Sequence, residues 1–262
     1  MAGKTLIGGT AYEISGGKTL IGGTAYSIAG GKTMVGGTAH DISFGVDLAA
    51  LFSGMTVLRT DGRNSGSTGR ITIEPVSTYL NTGETGYIFS FFNGYMSIAK
   101  IVCGTAGTQA IYQSSESYGN CWYALPYDAI WYHDTMNSGY NSKYGATLAL
   151  VKFDQPEAKV DAVLSAVQHV AHDGKNSSSS TLTFIDGSNI SVGNFVFVAY
   201  NTDFAINIKR ESGEMENIWS NNVNNPTLLH YYSNTNQYYL NASGNNTDTY
   251  NYGCSIHAVQ GG

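Results

Sequence analysis

Residues 3–44 contain one fourteen-residue segment written three times, and no other feature restricts the fold so tightly. GKTLIGGTAYEI, from Gly3, returns as GKTLIGGTAYSI from Gly17 and as GKTMVGGTAHDI from Gly31. A fixed short period marks a structural unit that becomes useful only when stacked or paired with its neighbours. Gly8-Gly9 fits a two-residue hairpin turn, whose positive φ glycine adopts without steric cost. Ser15-Gly16 and Ala29-Gly30 fit the return turns. Two strands of five residues and two turns of two account for the period. The register then sets Lys4 opposite Glu13, Thr5 opposite Tyr12, Leu6 opposite Ala11 and Ile7 opposite Thr10. Alternation along the strands collects Ile7, Tyr12, Ile14, Ile21, Tyr26, Ile28, Val35 and Ile42 on one apolar face. The expected product is a six-stranded antiparallel meander. Strands this short are marginal unless that face is covered, and each large side chain buried there is worth roughly 1.5–3 kcal/mol. The face is therefore expected to be an assembly interface, and residues 1–44 a docking arm, with an edge sheet folded onto the chain's own following domain as the alternative.

A second repetition is longer and fainter. Asp61-Gly62-Arg63-Asn64-Ser65 is echoed by Asp173-Gly174-Lys175-Asn176-Ser177, an offset of 112. Gly86 to Asn93 is echoed by Asn194 to Asn201, and Tyr144 to Leu148 by Tyr252 to Ile256, both at offset 108. Each copy is preceded by a short segment of helical character, Val46 to Phe52 and Glu157 to Leu164, and Pro156 suits a first helical turn. These echoes predict a tandem duplication, with copies at 45–153 and 154–262. Runs such as Tyr87 to Phe92, Leu148 to Val151, Thr181 to Phe184 and Phe204 to Ile208 lie between Gly, Ser and Asn clusters. Short strands at regular spacing with turn signals between them predict β-sandwiches. The Asp-Gly-Arg/Lys-Asn-Ser echo is expected to be a tight polar turn. The fold class expected is all-β: a hairpin-repeat meander, then two duplicated β-sandwich domains, each after a short helix.

Composition narrows the partners. Only 12% of residues are charged and the net charge is −6, so general attraction to nucleic-acid phosphate is not expected. No apolar run approaches the 18 residues that suggest a membrane span, and Met1-Ala2-Gly3-Lys4 leads into the repeat without the apolar core of a secretory signal. Cys103, Cys121 and Cys254 are odd in number, and Cys254 aligns with Ala146, as a small buried core residue would; Cys103 and Cys121 are expected to be free thiols, with a pairing between them as the alternative. Tyr, Ser, Gly and Asn abound, the side-chain mixture of adaptable recognition surfaces.

The residues do not assemble a catalytic pattern. His169 and His172 form an HxxH pair without acidic or cysteine ligands at zinc-site spacing. His133-Asp134 has no nucleophile placed by a GxSxG elbow. A glycosidase needs two carboxylates flanking a cleft, and nothing pairs Glu116, Asp128 and Asp134. The expectation is a non-enzymatic protein with no catalytic residue, no metal and no cofactor. Recognition is expected from aromatic side chains, on which sugar rings stack while neighbouring polar groups supply hydrogen bonds. Trp122, Tyr127, Trp131, Trp219, Tyr232 and Tyr239 are the candidate glycan contacts, unless they alternate into the core.

Glycine hairpin repeats of the GKTLIGGTAY type, followed by Tyr- and Asn-rich β domains, resemble virion structural proteins of tailed bacteriophages and prophages, tail- or baseplate-associated ones above all. The likeness covers the whole layout loosely, and its motif lies in residues 3–44. It implies a structural component, docked through its amino-terminal repeats at a tail, baseplate, fibre or capsid surface. Its implied partners are other virion proteins and copies of itself, with no nucleic acid and no membrane insertion. Its implied location is the virion, after synthesis in the host cytoplasm. A carbohydrate-binding module that recognises a host surface glycan is the alternative, and a glycan-acting enzyme a third reading.

Overall fold

The computed structural model describes the strand backbones within residues 3–43 and then residues 48–63, 71–92, 95–114, 120–133, 146–177, 181–200, 202–224, 228–241 and 252–261. Met1–Val46 and Asp47–Gly262 are separate compact units.

In the first unit, β1 (Gly3–Ile7) pairs with β2 (Thr10–Ile14), β3 (Gly17–Ile21) with β4 (Thr24–Ile28), and β5 (Gly30–Val35) with β6 (Thr38–Ser43). The register is the one the repeat dictates: Lys4 opposite Glu13, Thr5 opposite Tyr12, Lys32 opposite Asp41. Among the described residues each pair is a two-stranded sheet of its own, so three ribbons replace the expected six-stranded meander. The pairing formed is the one each unit can satisfy within its own fourteen residues. The side chains of the expected docking face, from Ile7 to Ile42, lie outside the described residues.

The second unit holds the duplication. Its first half runs α1 (Leu48–Ser53), β7 (Met55–Arg63), β8 (Thr72–Ile73), β9 (Thr85–Phe92), β10 (Tyr95–Val102), β11 (Gln109–Gln113), β12 (Asn120–Ala124), β13 (Ala129–His133) and β14 (Ala146–Phe153). Its second half runs α2 (Glu157–Ser165), β15 (Val167–Ser177), β16 (Thr181–Asp186), β17 (Phe195–Tyr200), β18 (Asp203–Lys209), β19 (Met215–Ser220), β20 (Leu229–Tyr232), β21 (Gln237–Asn241) and β22 (Tyr252–Gly261). The large sheets have orders β7-β14-β9-β10-β11 and β15-β22-β17-β18-β19, and the small ones β8-β13-β12 and β16-β21-β20. Strand order is therefore the same in both halves.

Register agrees at the level of single residues. Asp61 lies opposite Leu148 as Asp173 lies opposite Ile256, which are equivalent pairs. A bulge skips Leu58 in β7 and Val170 in β15, and a second skips Ile111 in β11 and Ile218 in β19. Bulges re-aim side chains and bend the strand, and both copies keep them in place. Asp61-Gly62-Arg63 and Asp173 to Ser177 are strand rather than the expected polar turn, because the ladders with β14 and β22 run through them.

Each large sheet is buried on both faces. Toward its own small sheet the first half turns Ile88, Leu148 and Leu150, which pack with Ile73, Tyr123 and Ile130; Val196, Val198 and Ile256 do the same against Tyr238 and Leu240. The opposite faces meet each other. Phe89 stacks on its own counterpart Phe197 with centroids 5.7 Å apart, and Phe91 packs on Phe204 at 5.3 Å. Phe52 of α1 crosses to Phe195 and Phe197. The contacts are reciprocal: β9 meets β22 as β17 meets β14, and β10 meets β22 as β18 meets β14. The halves thus pack as the subunits of a two-fold dimer do, in four layers: small sheet, large, large, small. The two copies expected as successive sandwich domains share one core.

Candidate functional site

The outer face of the small sheet in the first half is built by alternation. In β12, Cys121 and Tyr123 turn inward and are buried, which directs Trp122 outward, 59% exposed. Trp131 of β13 lies directly opposite Trp122, and Tyr127, 68% exposed, packs on Trp131 at 5.5 Å. The turn that carries Tyr127 is pinned by Asp128, which sits at φ +50°. The Asp128 carboxylate accepts from the Ser77 amide at 3.0 Å, from the Ser77 hydroxyl, and from the Tyr123 hydroxyl at 3.1 Å. Asp128 is thereby occupied in structure rather than placed as an acid or base.

The second half carries a different set at the matching positions. His230 and Tyr239 stand where Trp122 and Trp131 stand, and Tyr232 stacks on Tyr239 at 4.3 Å. Tyr232 is 50% exposed. Tyr238, the inward member of its doublet, donates to the Gly213 carbonyl, and burial pushes its hydroxyl up to about 12. Five of the six candidate glycan contacts thus lie on two outer platforms, one per half. Trp219 does not join them. It lies half-buried on β19, 5.6 Å from Phe204 at the seam between halves, because the large sheet rather than the small one carries it.

Beside Trp122 the first half also opens a cleft of about 270 Å³, between β10–β11 and β12. Sequence reading missed it, since its lining is mostly small residues. Burial pushes its Cys121 thiol up to about 12 and raises Cys103 as well; both are free thiols buried in the core. The side chain of Cys254 lies outside the described residues.

The HxxH pair lies on strand β15, not on an extension of α2, which ends at Ser165. The bulge at Val170 brings His169 and His172 to one face, with ring centroids 4.6 Å apart and His257 at 5.6 and 5.8 Å. Burial, then the neighbouring His172, lowers the His169 pKa. Among the described residues no group of three His, Cys, Asp or Glu is arranged to hold a metal ion. Glu116, Asp134 and the side chain of His133 lie outside the described residues. Among those residues, too, no helix is long and apolar enough to cross a membrane.

No family model, curated protein or solved structure matches this chain.

Proposed function

We propose that this chain is a non-catalytic structural component of a tailed-phage or prophage virion, docked through its hairpin repeats onto other virion proteins and copies of itself. The observation that carries the reading is the division of the chain: residues 1–46 form a unit apart from the closed double sandwich that follows. A segment of repeated two-stranded ribbons is too small to bury a core alone, which suits a part completed by assembly. Deleting residues 1–46 is expected to leave Asp47–Gly262 folded and soluble while abolishing incorporation into particles, measured by circular dichroism and by mass spectrometry of purified particles. Loss of folding in the deleted chain overturns the docking role.

A second reading, carbohydrate recognition at a host surface, is favoured by the outward Trp122 and Tyr127. Large exposed aromatic rings held by a rigid sheet are suited to stacking on sugars. Binding of the intact chain on a glycan array tests it.

A further inference from the structure

We infer that the cleft beside Trp122 binds one neutral hexopyranose unit of a glycan, and that only the first half carries this site. The inference rests on the carbohydrate reading above and gives it a location. The cleft lies where β10 and β11 of the five-stranded sheet extend past β12, the edge strand of the three-stranded one. At about 270 Å³ it falls just below the roughly 300–1,000 Å³ of small-ligand sites, a size for one ring rather than a chain of them. Ala99 and Cys121 form a buried, apolar floor, while Thr108 and the exposed Gln113 bring polar groups to its edge. Trp122 supplies the exposed wall. Among the described residues no charged side chain lines it, which suits a neutral ligand. A pyranose matches this set, with an apolar C–H face for the indole and hydroxyls for an amide and a hydroxyl group.

The second half is an internal control. By register, Asn207 and Asn217 occupy the places of Ala99 and Ala110, and Leu229 and His230 those of Cys121 and Trp122. Asn217 donates to Asn207 at 3.3 Å, Leu229 is buried, and Met215, in the place of Thr108, packs against the core. Among the described residues the second half thus sets these larger side chains at places that line the first half's cleft. The opening is therefore a property of the first half's residues and not a requirement of the architecture.

The test compares the intact chain with Ala99→Asn/Ala110→Asn, Trp122→His and, as a control at an exposed side chain of the second half, Val223→Ala, using a glycan array and ligand-observed NMR with free neutral hexoses and N-acetylhexosamines. The double variant installs a pair that the second half already folds around, and Trp122→His changes a surface side chain, so at least one cleft variant stays folded by circular dichroism. The expected result is a loss of affinity of about tenfold or more in both cleft variants and none in Val223→Ala. Saccharide binding that survives the cleft variants overturns the cleft while keeping the carbohydrate reading. Absence of saccharide binding by the intact chain overturns both.

Discussion

Asp128 shows how one side chain can fix an exposed aromatic platform. It holds a left-handed backbone, at φ +50°, and its carboxylate ties the Tyr127 turn to Ser77 and to Tyr123. Its counterpart Asn236 holds φ +51°, so the conformation survives where the charge does not. Asp and Asn both visit this region readily. Replacing Asp128 by Ala strands the Ser77 and Tyr123 donors and is expected to cost about 1–3 kcal/mol in urea unfolding. Asp128→Asn keeps an acceptor and is expected to cost less than half of that; equal losses in the two variants would assign the effect to charge instead. Alternation, which sends one member of an aromatic doublet outward, made two of them legible at this scale: Trp122 outside with Tyr123 inside, and Tyr239 outward with Tyr238 inside. Tyr231 and Tyr232, by contrast, are both exposed, although Tyr231 lies opposite the inward Tyr238. The cleft was not legible in its own half, because Ala99 and Ala110 carry no signal. It becomes visible only when residues about 108 positions apart are compared, Ala99 with Asn207.

At the scale of elements, the fourteen-residue period predicted the hairpin register, and the echoes at offsets 108 and 112 predicted matching strands, because both signals are local. The short helices also fall close to their expected places, at Leu48–Ser53 and Glu157–Ser165. What the helices do was hidden. α2 belongs to the second half but is tied to the first: Lys100 donates to Glu157 at 3.0 Å and to Asp161 at 2.5 Å, Thr85 donates to Glu157 at 2.6 Å, and Tyr87 donates to Asp161 at 2.8 Å. The Thr85 hydroxyl, and then Lys100, hold the Glu157 carboxyl below its ordinary value of 4.5. A depressed carboxylate contributes stability that is complete above its unfolded value and lost as pH falls through the folded one. Melting temperature is therefore expected to hold through the neutral range and to fall in acid below about 4.5. Glu157→Gln is expected to flatten part of that fall in a pH series of thermal melts. Because Glu157 is half-exposed, its share is less than about 1 kcal/mol.

Over the whole molecule, the seam between halves is the feature that strand patterns could not reveal. The run Tyr87 to Phe92 reads as apolar on both faces, which says that each face is covered but not that the second cover is a copy of the same sheet. Phe197 lies at the centre of that seam, against Phe52, Phe89, Phe91 and Phe204. Phe197→Ala is expected to cost about 3–5 kcal/mol and to weaken both halves together, seen as one unfolding transition in urea by tryptophan fluorescence, since Trp122 and Trp219 report from different halves. Two separate transitions would mean that the halves fold independently. Strand order has a further consequence, in time rather than in space. In each half the last strand made, β14 or β22, inserts between the first, β7 or β15, and the third, β9 or β17. At roughly 5–20 residues per second of synthesis, the opening strand of each half waits on the order of ten seconds on the ribosome for the neighbour that pairs with it. Until that neighbour arrives β7 and β9, or β15 and β17, lack the strand that joins them, so neither main sheet can be completed before its final strand has left the exit tunnel.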